Sequence, residues 1–312
     1  MRVVLVHHTA LPVQGYGGTE RVVVSLVRGL AALGHEVTLL APPGTRLPEA
    51  RLVAVPQARL HDPTLDLTPL IPPGTELLHA FYPLRVPPGI PWVWTLQGTT
   101  KPGAVRPANT IYVSADHAAR HGGTAFVYNG LDPADLQFRA TKDDYDLFLG
   151  RLHSSKGYHW AIAGTKIAER KLVVAGGWRP SLSRYVKFVG TVEGAEKAAL
   201  LAGARLMWMP ALWDEPFGLT LIEALWSGTP VLGTRRGSLA EVLSPDVAGQ
   251  GDTLEELIAL LPTMAAKDPA ACRARAERWF SHLTLAEGYV RMYRAFLATG
   301  KLPAGVRAEQ GS

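Results

Sequence analysis

The sequence predicts two doubly wound α/β domains, each a parallel sheet with helices on both faces, facing one another across a cleft. Three observations lead there. Short apolar runs alternate with helix-patterned segments, the alternation occurs twice, and a polar stretch, Thr141-Lys142-Asp143-Asp144, lies between the two sets. Alternating strands and helices read as βαβ units, and right-handed crossovers make each set one parallel sheet. At 312 residues the chain is long for a single core.

The first set opens with a strand at Val3-Val4-Leu5-Val6, then a long loop holding Gln14-Gly15-Tyr16-Gly17-Gly18-Thr19-Glu20-Arg21. Val23, Leu26, Val27 and Leu30 follow at helical spacing, with Thr19 as the expected N-cap and Gly34 as the stop. Further strands are expected at 37–40, 52–55, 77–80, 92–96, 111–114 and 126–128. The second set runs strand 146–149, loop 150–157 and a helix to about 170. It continues with strands 171–175 and 187–189, a helix at 193–201, strand 206–209, helix 219–227 and strand 231–233. A last helix at 285–297 carries Tyr289, Met292, Tyr293 and Phe296 as an apolar stripe that must dock. The expected domains are 1–140 plus 285–312, where that helix returns to the first sheet, and 141–284.

Composition narrows the function. Apolar content of 47% and charged content of 19% suit a soluble globular chain. The 32 basic against 27 acidic residues are scattered rather than clustered, which favours a small anionic ligand over nucleic acid. The single cysteine, Cys272, allows no internal disulfide and argues against a cysteine zinc site. Neither a signal peptide nor an apolar run near the ~18 residues of a membrane span is found, so a cytoplasmic protein is expected, with peripheral membrane contact left open.

The loop around Gly17 is a poor dinucleotide fingerprint, because Glu20 stands where the third glycine belongs and His7 to Gln14 separate it from the strand. The most informative window is Trp213-Asp214-Glu215-Pro216-Phe217-Gly218-Leu219-Thr220-Leu221-Ile222-Glu223. Glu215 precedes a proline and is therefore extended at the mouth of a strand. Gly218, Leu219 and Thr220 open the next helix, where free amides favour a phosphate, and Glu223 lies one turn further in. Carboxylates on either side of a phosphate suit a nucleotide-sugar. The plainer alternative is a Thr220/Glu223 capping box with no ligand. In Gly150-Arg151-Leu152-His153-Ser154-Ser155-Lys156-Gly157, Arg151 and Lys156 stand beside a helix start, where both can reach one diphosphate.

These stretches resemble the retaining GT-B glycosyltransferases of family 4. The likeness is carried by GGTER (17–21), YNGLD (128–132), GRLHSSKG (150–157), EPFGLTLIEALWSGTPVL (215–232) and, more loosely, RGSLAEV (236–242). It is nearest to short members that glycosylate small molecules. The resemblance implies that Arg151 and Lys156 bind the donor diphosphate and stabilise the leaving group. It implies that Glu215 holds the hydroxyls of the transferred sugar, and that the amides of Gly218, Leu219 and Thr220, beside Phe217, hold the phosphates. Glu223 would take the ribose hydroxyls, and Gly17 and Gly18 would approach the diphosphate from the other domain. Where the family often has a histidine this chain has Gln97, which cannot serve as a titrating base; with Tyr16 it marks the acceptor side. His7, His8, His79 and His117 read as structural.

A nucleotide-sugar donor, UDP before GDP, is therefore expected. The acceptor would be a small molecule, a glycan or a lipid-linked compound, with retention of configuration and no metal or other cofactor. Asp144-Tyr145-Asp146 imitates the D-x-D of metal-dependent transferases but reads as a solvated turn. A glycoside hydrolase using Glu215 and Glu223 leaves Arg151 and Lys156 unexplained. A non-catalytic two-domain receptor would share the architecture.

Overall fold

Two six-stranded parallel sheets organise the chain. The computed structural model describes all residues except 14, 16, 63, 101–103 and 310–312. The first sheet comprises β1 (Arg2–Val6), β2 (Glu36–Ala41), β3 (Arg51–Ala54), β4 (Leu77–Ala80), β5 (Trp92–Thr95) and β6 (Thr110–Ile111). The second comprises β7 (Asp146–Leu149), β8 (Leu172–Ala175), β9 (Val186–Gly190), β10 (Met207–Met209), β11 (Val231–Gly233) and β12 (Ala248–Gln250). The first is ordered β3-β2-β1-β4-β5-β6 and the second β12-β11-β10-β7-β8-β9. Counted from its own first strand, each therefore has the same order, with the order reversing between β1 and β4 and between β7 and β10. Ligands of such sheets bind at the carboxyl ends of the strands flanking that reversal.

The helices are α1 (Gly18–Ala32), α2 (Gln57–Leu60), α3 (Ala115–Arg120), α4 (Tyr158–Ile167), α5 (Gly194–Gly203), α6 (Leu219–Trp226), α7 (Leu239–Val242), α8 (Leu254–Met264), α9 (Pro269–Phe280) and α10 (His282–Thr299). The chain divides into one unit of Met1–Leu131 with Ser281–Val306 and another of Asp132–Phe280 with the residues from Arg307 on.

In the first unit, Val3 to Val6 and Leu77, Leu78 and Val93 are fully or almost fully buried. Both faces of these strands are covered, which is why they read as continuous apolar runs. α1 starts earlier than its sequence suggests: its N-cap is Gly17, with no side-chain cap, and Thr19 lies inside the helix. Gly34, at φ +77°, does end it. The expected strand at 126–128 reduces to a single bridge between Tyr112 and Phe126. α10 lies along α1 at Gly29, where a Cβ would come 2.2 Å from the carbonyl oxygen of His282. Of its stripe, Tyr289, Met292 and Tyr293 are sealed.

Beneath them lies a buried polar chain. The His79 ring bonds the Tyr293 hydroxyl at 2.6 Å and Thr95 Oγ1 at 2.8 Å, and Thr95 bonds the Tyr289 hydroxyl at 2.9 Å. The structural reading of His79 agrees with this: both nitrogens are occupied and no face is open. Burial pushes its pKa from the ordinary 6.5 to about 3. The unfolded chain then takes up this proton as pH falls through about 6.5, and the folded chain only near 3, so stability declines between those values. Unfolding followed from pH 7 to pH 4 is expected to show that decline, with a shallower slope in His79→Phe. An unchanged slope would remove His79 from the acid response.

The second unit begins earlier than residue 141, because residues 132–140 pack with it. The Phe138 ring lies against Gly228, and the Arg139 amide donates to the Ser227 carbonyl at 3.4 Å. At the other boundary Ser281, the N-cap of α10, belongs with the first unit. The polar stretch between the two sets is anchored. Lys142 Nζ donates to the carbonyls of Ala202 and Ser227 and to Thr229 Oγ1, at 2.9–3.1 Å, and burial lowers its pKa to about 8. The chain end also rejoins this unit, where Arg275 donates to the Glu309 carbonyl at 2.8 Å.

Asp146 is not solvated as expected. It is fully buried at the start of β7 and held in a bidentate pair by Arg170 at 2.7 and 2.8 Å. Asp144 alone faces solvent, paired with Lys171 and Arg205.

Candidate active site

In the second unit the order reversal falls between β7 and β10, whose carboxyl ends are Leu149 and Met209. The segments that follow are 150–157 and 210–218, the two that the motifs single out. They are fastened together. The Leu212 amide donates to the Ser155 carbonyl at 2.7 Å. Gly157, at φ +72°, lies so close to Pro210 that a Cβ would sit 1.8 Å from its carbonyl oxygen. Only glycine meets both demands there.

Lys156 ends a single 3-10 turn, Ser154–Lys156, capped by the His153 ring. From there its ammonium reaches Glu215 Oε2 at 2.5 Å and lies 4.6 Å from the centre of the Trp213 ring. The Trp213 indole donates to the same oxygen at 3.0 Å. Glu215 is 8% exposed. A carboxylate that deep needs such partners. Among the described residues Oε1 takes none, so this oxygen is available to a ligand hydroxyl.

Glu215 is also held by its main chain. Gly237, at φ +61°, lies with its Cα against the Glu215 backbone, where a Cβ would approach N and O to 2.5 Å. The Ser238 amide donates to the Glu215 carbonyl, and the Ser238 hydroxyl to that of Phe217, both at 2.9 Å. The loose RGSLAEV motif is thus a brace beneath Glu215.

α6 is capped by Gly218 in the left-handed region, without a side-chain acceptor. The capping-box alternative therefore fails. Thr220 lies inside the helix with its hydroxyl toward Met209 Sδ. Glu223 is 1% exposed and pairs with Lys197 of α5 at 2.7 Å. The helix start, with Leu219 and Thr220 in its first turn, retains the partial positive charge of its amides. Phe217, 2% exposed, packs edge-on against Phe280. Arg151 is exposed on the loop after β7.

Lys156 and Glu215 are thus brought into contact, while Glu223 has its own cation one turn further along. Lys197 is a residue that sequence reasoning missed. It lies 26 positions from Glu223 on a different helix, and no local spacing announces it.

The other predicted residues lie in the first unit. Gly17 makes room for side chains, since a Cβ there would come 2.5 Å from Val13 and 2.8 Å from the Glu20 carboxylate. Gly18 opens α1. Gln97 exchanges two hydrogen bonds with Asn129 of the YNGLD stretch, at 3.1 and 2.9 Å. Nearby, the His117 ring donates through Nε2 to the Gly98 carbonyl at 3.0 Å, and burial lowers its pKa to about 4. Gln97 is a fixed amide rather than a base. Tyr16 lies outside the described residues.

A family model described as Glycosyl transferases group 1 matches residues 145–267, and one described as Glycosyltransferase Family 4 matches residues 16–121. A solved structure, AviGT4, a glycosyltransferase involved in avilamycin A biosynthesis, is 32% identical with a TM-score of 0.77, covering 96% of this chain and 98% of that one. The chain belongs to the glycosyltransferases. Its two sheets form the GT-B fold of its structural neighbours. An uncharacterized glycosyltransferase of Methanocaldococcus jannaschii is 32% identical over 153 residues, which are 39% of this chain and 39% of that protein. Glycogen synthase of Mycobacterium tuberculosis is 30% identical over 180 residues, which are 51% of this chain and 43% of the synthase. The chain spans less than half the length of these two curated relatives.

Proposed function

We propose that this glycosyltransferase moves a sugar from a nucleoside-diphosphate sugar, UDP-linked before GDP-linked, to an acceptor hydroxyl with retention of configuration and without a metal. The observation that carries the reading is the Lys156–Glu215 pair beside the uncapped start of α6, at the point where the strand order reverses. A diphosphate placed there meets Lys156, Arg151 and the first amides of α6. In this reading Glu215 Oε1 takes the sugar hydroxyls, and Glu223, paired with Lys197 one turn further into α6, takes the ribose.

When the glycosidic bond to the diphosphate breaks, negative charge grows on the leaving oxygen. Two cations and a helix start can stabilise that charge electrostatically. Neither of the two motif carboxylates is free to act as a nucleophile: Glu215 is bound by Lys156 and Trp213, and Glu223 by Lys197. Front-face transfer follows, with the leaving phosphate oxygen accepting the acceptor proton. The same two commitments weaken the hydrolase alternative, which needs both carboxyls about one sugar.

The two carboxylates have separable roles. Glu223→Ala is expected to weaken binding of free UDP about tenfold, because a charge-assisted bond is worth roughly 1.5–3 kcal/mol. Glu215→Ala is expected to leave UDP affinity near the wild-type value while slowing turnover of the sugar donor. Calorimetric titration of both variants with UDP and GDP, beside steady-state rates, checks this. Equal losses on both ligands would contradict the division.

A further inference from the structure

Trp213 sits between two pinned stretches of main chain. Before it, the Leu212 amide donates to the Ser155 carbonyl at 2.7 Å. After it, Gly237 lies against Asp214 and Glu215, where a Cβ would come 2.8 Å from the Asp214 carbonyl carbon. The side chain is half-buried. Its indole donates to Glu215 Oε2 at 3.0 Å, and its ring lies 4.6 Å from the Lys156 ammonium. Lys156 and Trp213 thus meet on one oxygen of Glu215, and the ammonium is attracted to the ring of its fellow donor.

A ligand acts on these two donors differently. The ammonium is a point charge with three hydrogens on a flexible four-carbon stem, and a bound diphosphate competes with Glu215 for it. The indole has one hydrogen and no net charge, and it turns about only two side-chain torsions. If Lys156 alone held Glu215, donor binding would loosen the carboxylate just as the sugar reaches it.

We propose that Trp213 is a positioning residue for the transfer. Its N–H holds Oε2 and so keeps Oε1 aimed at the sugar while Lys156 is shared with the diphosphate, and its ring steadies the ammonium between the two. Trp213 acts through Glu215 and Lys156 and not on the donor itself. The inference rests on the donor reading above.

Two substitutions separate the tasks, and at a half-buried loop position neither opens a core cavity. Trp213→Phe keeps a ring and loses the N–H; Trp213→Leu loses both. Rates are measured with the UDP- or GDP-α-sugar that the wild-type chain turns over fastest, and affinities by calorimetry with the free nucleoside diphosphate. Trp213→Phe is expected to lower kcat about tenfold, the scale of one hydrogen bond to a charged group, with nucleotide affinity within about twofold of wild type. Trp213→Leu is expected to lower kcat at least as far and also to weaken nucleotide binding roughly two- to fivefold, the worth of one cation–π contact. In a Glu215→Ala background, Trp213→Phe is expected to cost no further rate, because the group it holds is gone. Wild-type kcat in Trp213→Phe, an equal loss of kcat and nucleotide affinity in that variant, or a full additional loss in the Glu215→Ala background would overturn the proposal. A wild-type chain that binds neither UDP nor GDP would instead refute the donor reading, and this inference with it.

Discussion

Lys156→Ala is expected to lower kcat/KM for the nucleotide-sugar by about ten- to a hundredfold, with the fold intact, because it removes a charge-assisted contact worth roughly 1.5–3 kcal/mol. A second loss adds to it. Among the described residues, Glu215, 8% exposed, keeps only the Trp213 indole as a side-chain donor once Lys156 is gone. A buried carboxylate robbed of its cation shifts toward solvent and no longer presents Oε1 as it did. Lys156→Arg is expected to recover only part of the rate, since a planar fork does not reproduce a point charge under the Trp213 ring. Steady-state kinetics with circular dichroism as the fold control decide it. Wild-type kinetics in Lys156→Ala, and in Arg151→Ala, would end the assignment of these cations to the diphosphate.

The second large effect is at Gly157. Its φ of +72° costs a non-glycine residue about 1–2 kcal/mol. The Pro210 carbonyl, 1.8 Å from where a Cβ would stand, cannot yield cheaply because it is main chain. Gly157→Ala must therefore push the two site loops apart, breaking the Leu212–Ser155 hydrogen bond and the reach of Lys156 to Glu215 together. Activity is expected to fall by two orders of magnitude or more, on the scale of catalytic geometry displaced by about 1 Å. The melting temperature is expected to drop as well. Retained activity would mean that the loops are not a rigid frame for the site.

The strands buried on both faces were legible. Leu77–Ala80, Asp146–Leu149 and Val231–Gly233 lie where their apolar runs place them. Among the helices, α8 and α9 were not read. α9, with the sequence PAACRARAERWF, has no strong apolar stripe, and α8 carries Pro262 within it. α8 did have a signal, because Thr253 Oγ1 caps the Glu256 amide in a T-x-x-E pattern. The same pattern at Thr220 and Glu223 misleads, because Gly218 takes the cap and Glu223 turns to Lys197. Side chains joined by local spacing or by motif were visible. Lys197 beside Glu223 and Gly237 beneath Glu215 depend on which strands are neighbours, and spacing along the chain does not report that.

The measurement that bears most directly on the account is proton NMR of the transfer reaction run in EDTA, with UDP- and GDP-α-sugars offered in turn to a panel of hydroxyl acceptors. Retention with charge stabilisation by Arg151, Lys156 and the start of α6 predicts turnover at an undiminished rate and an α-anomeric signal in the product. A β product, or a reaction abolished by EDTA and restored by manganese, would contradict it.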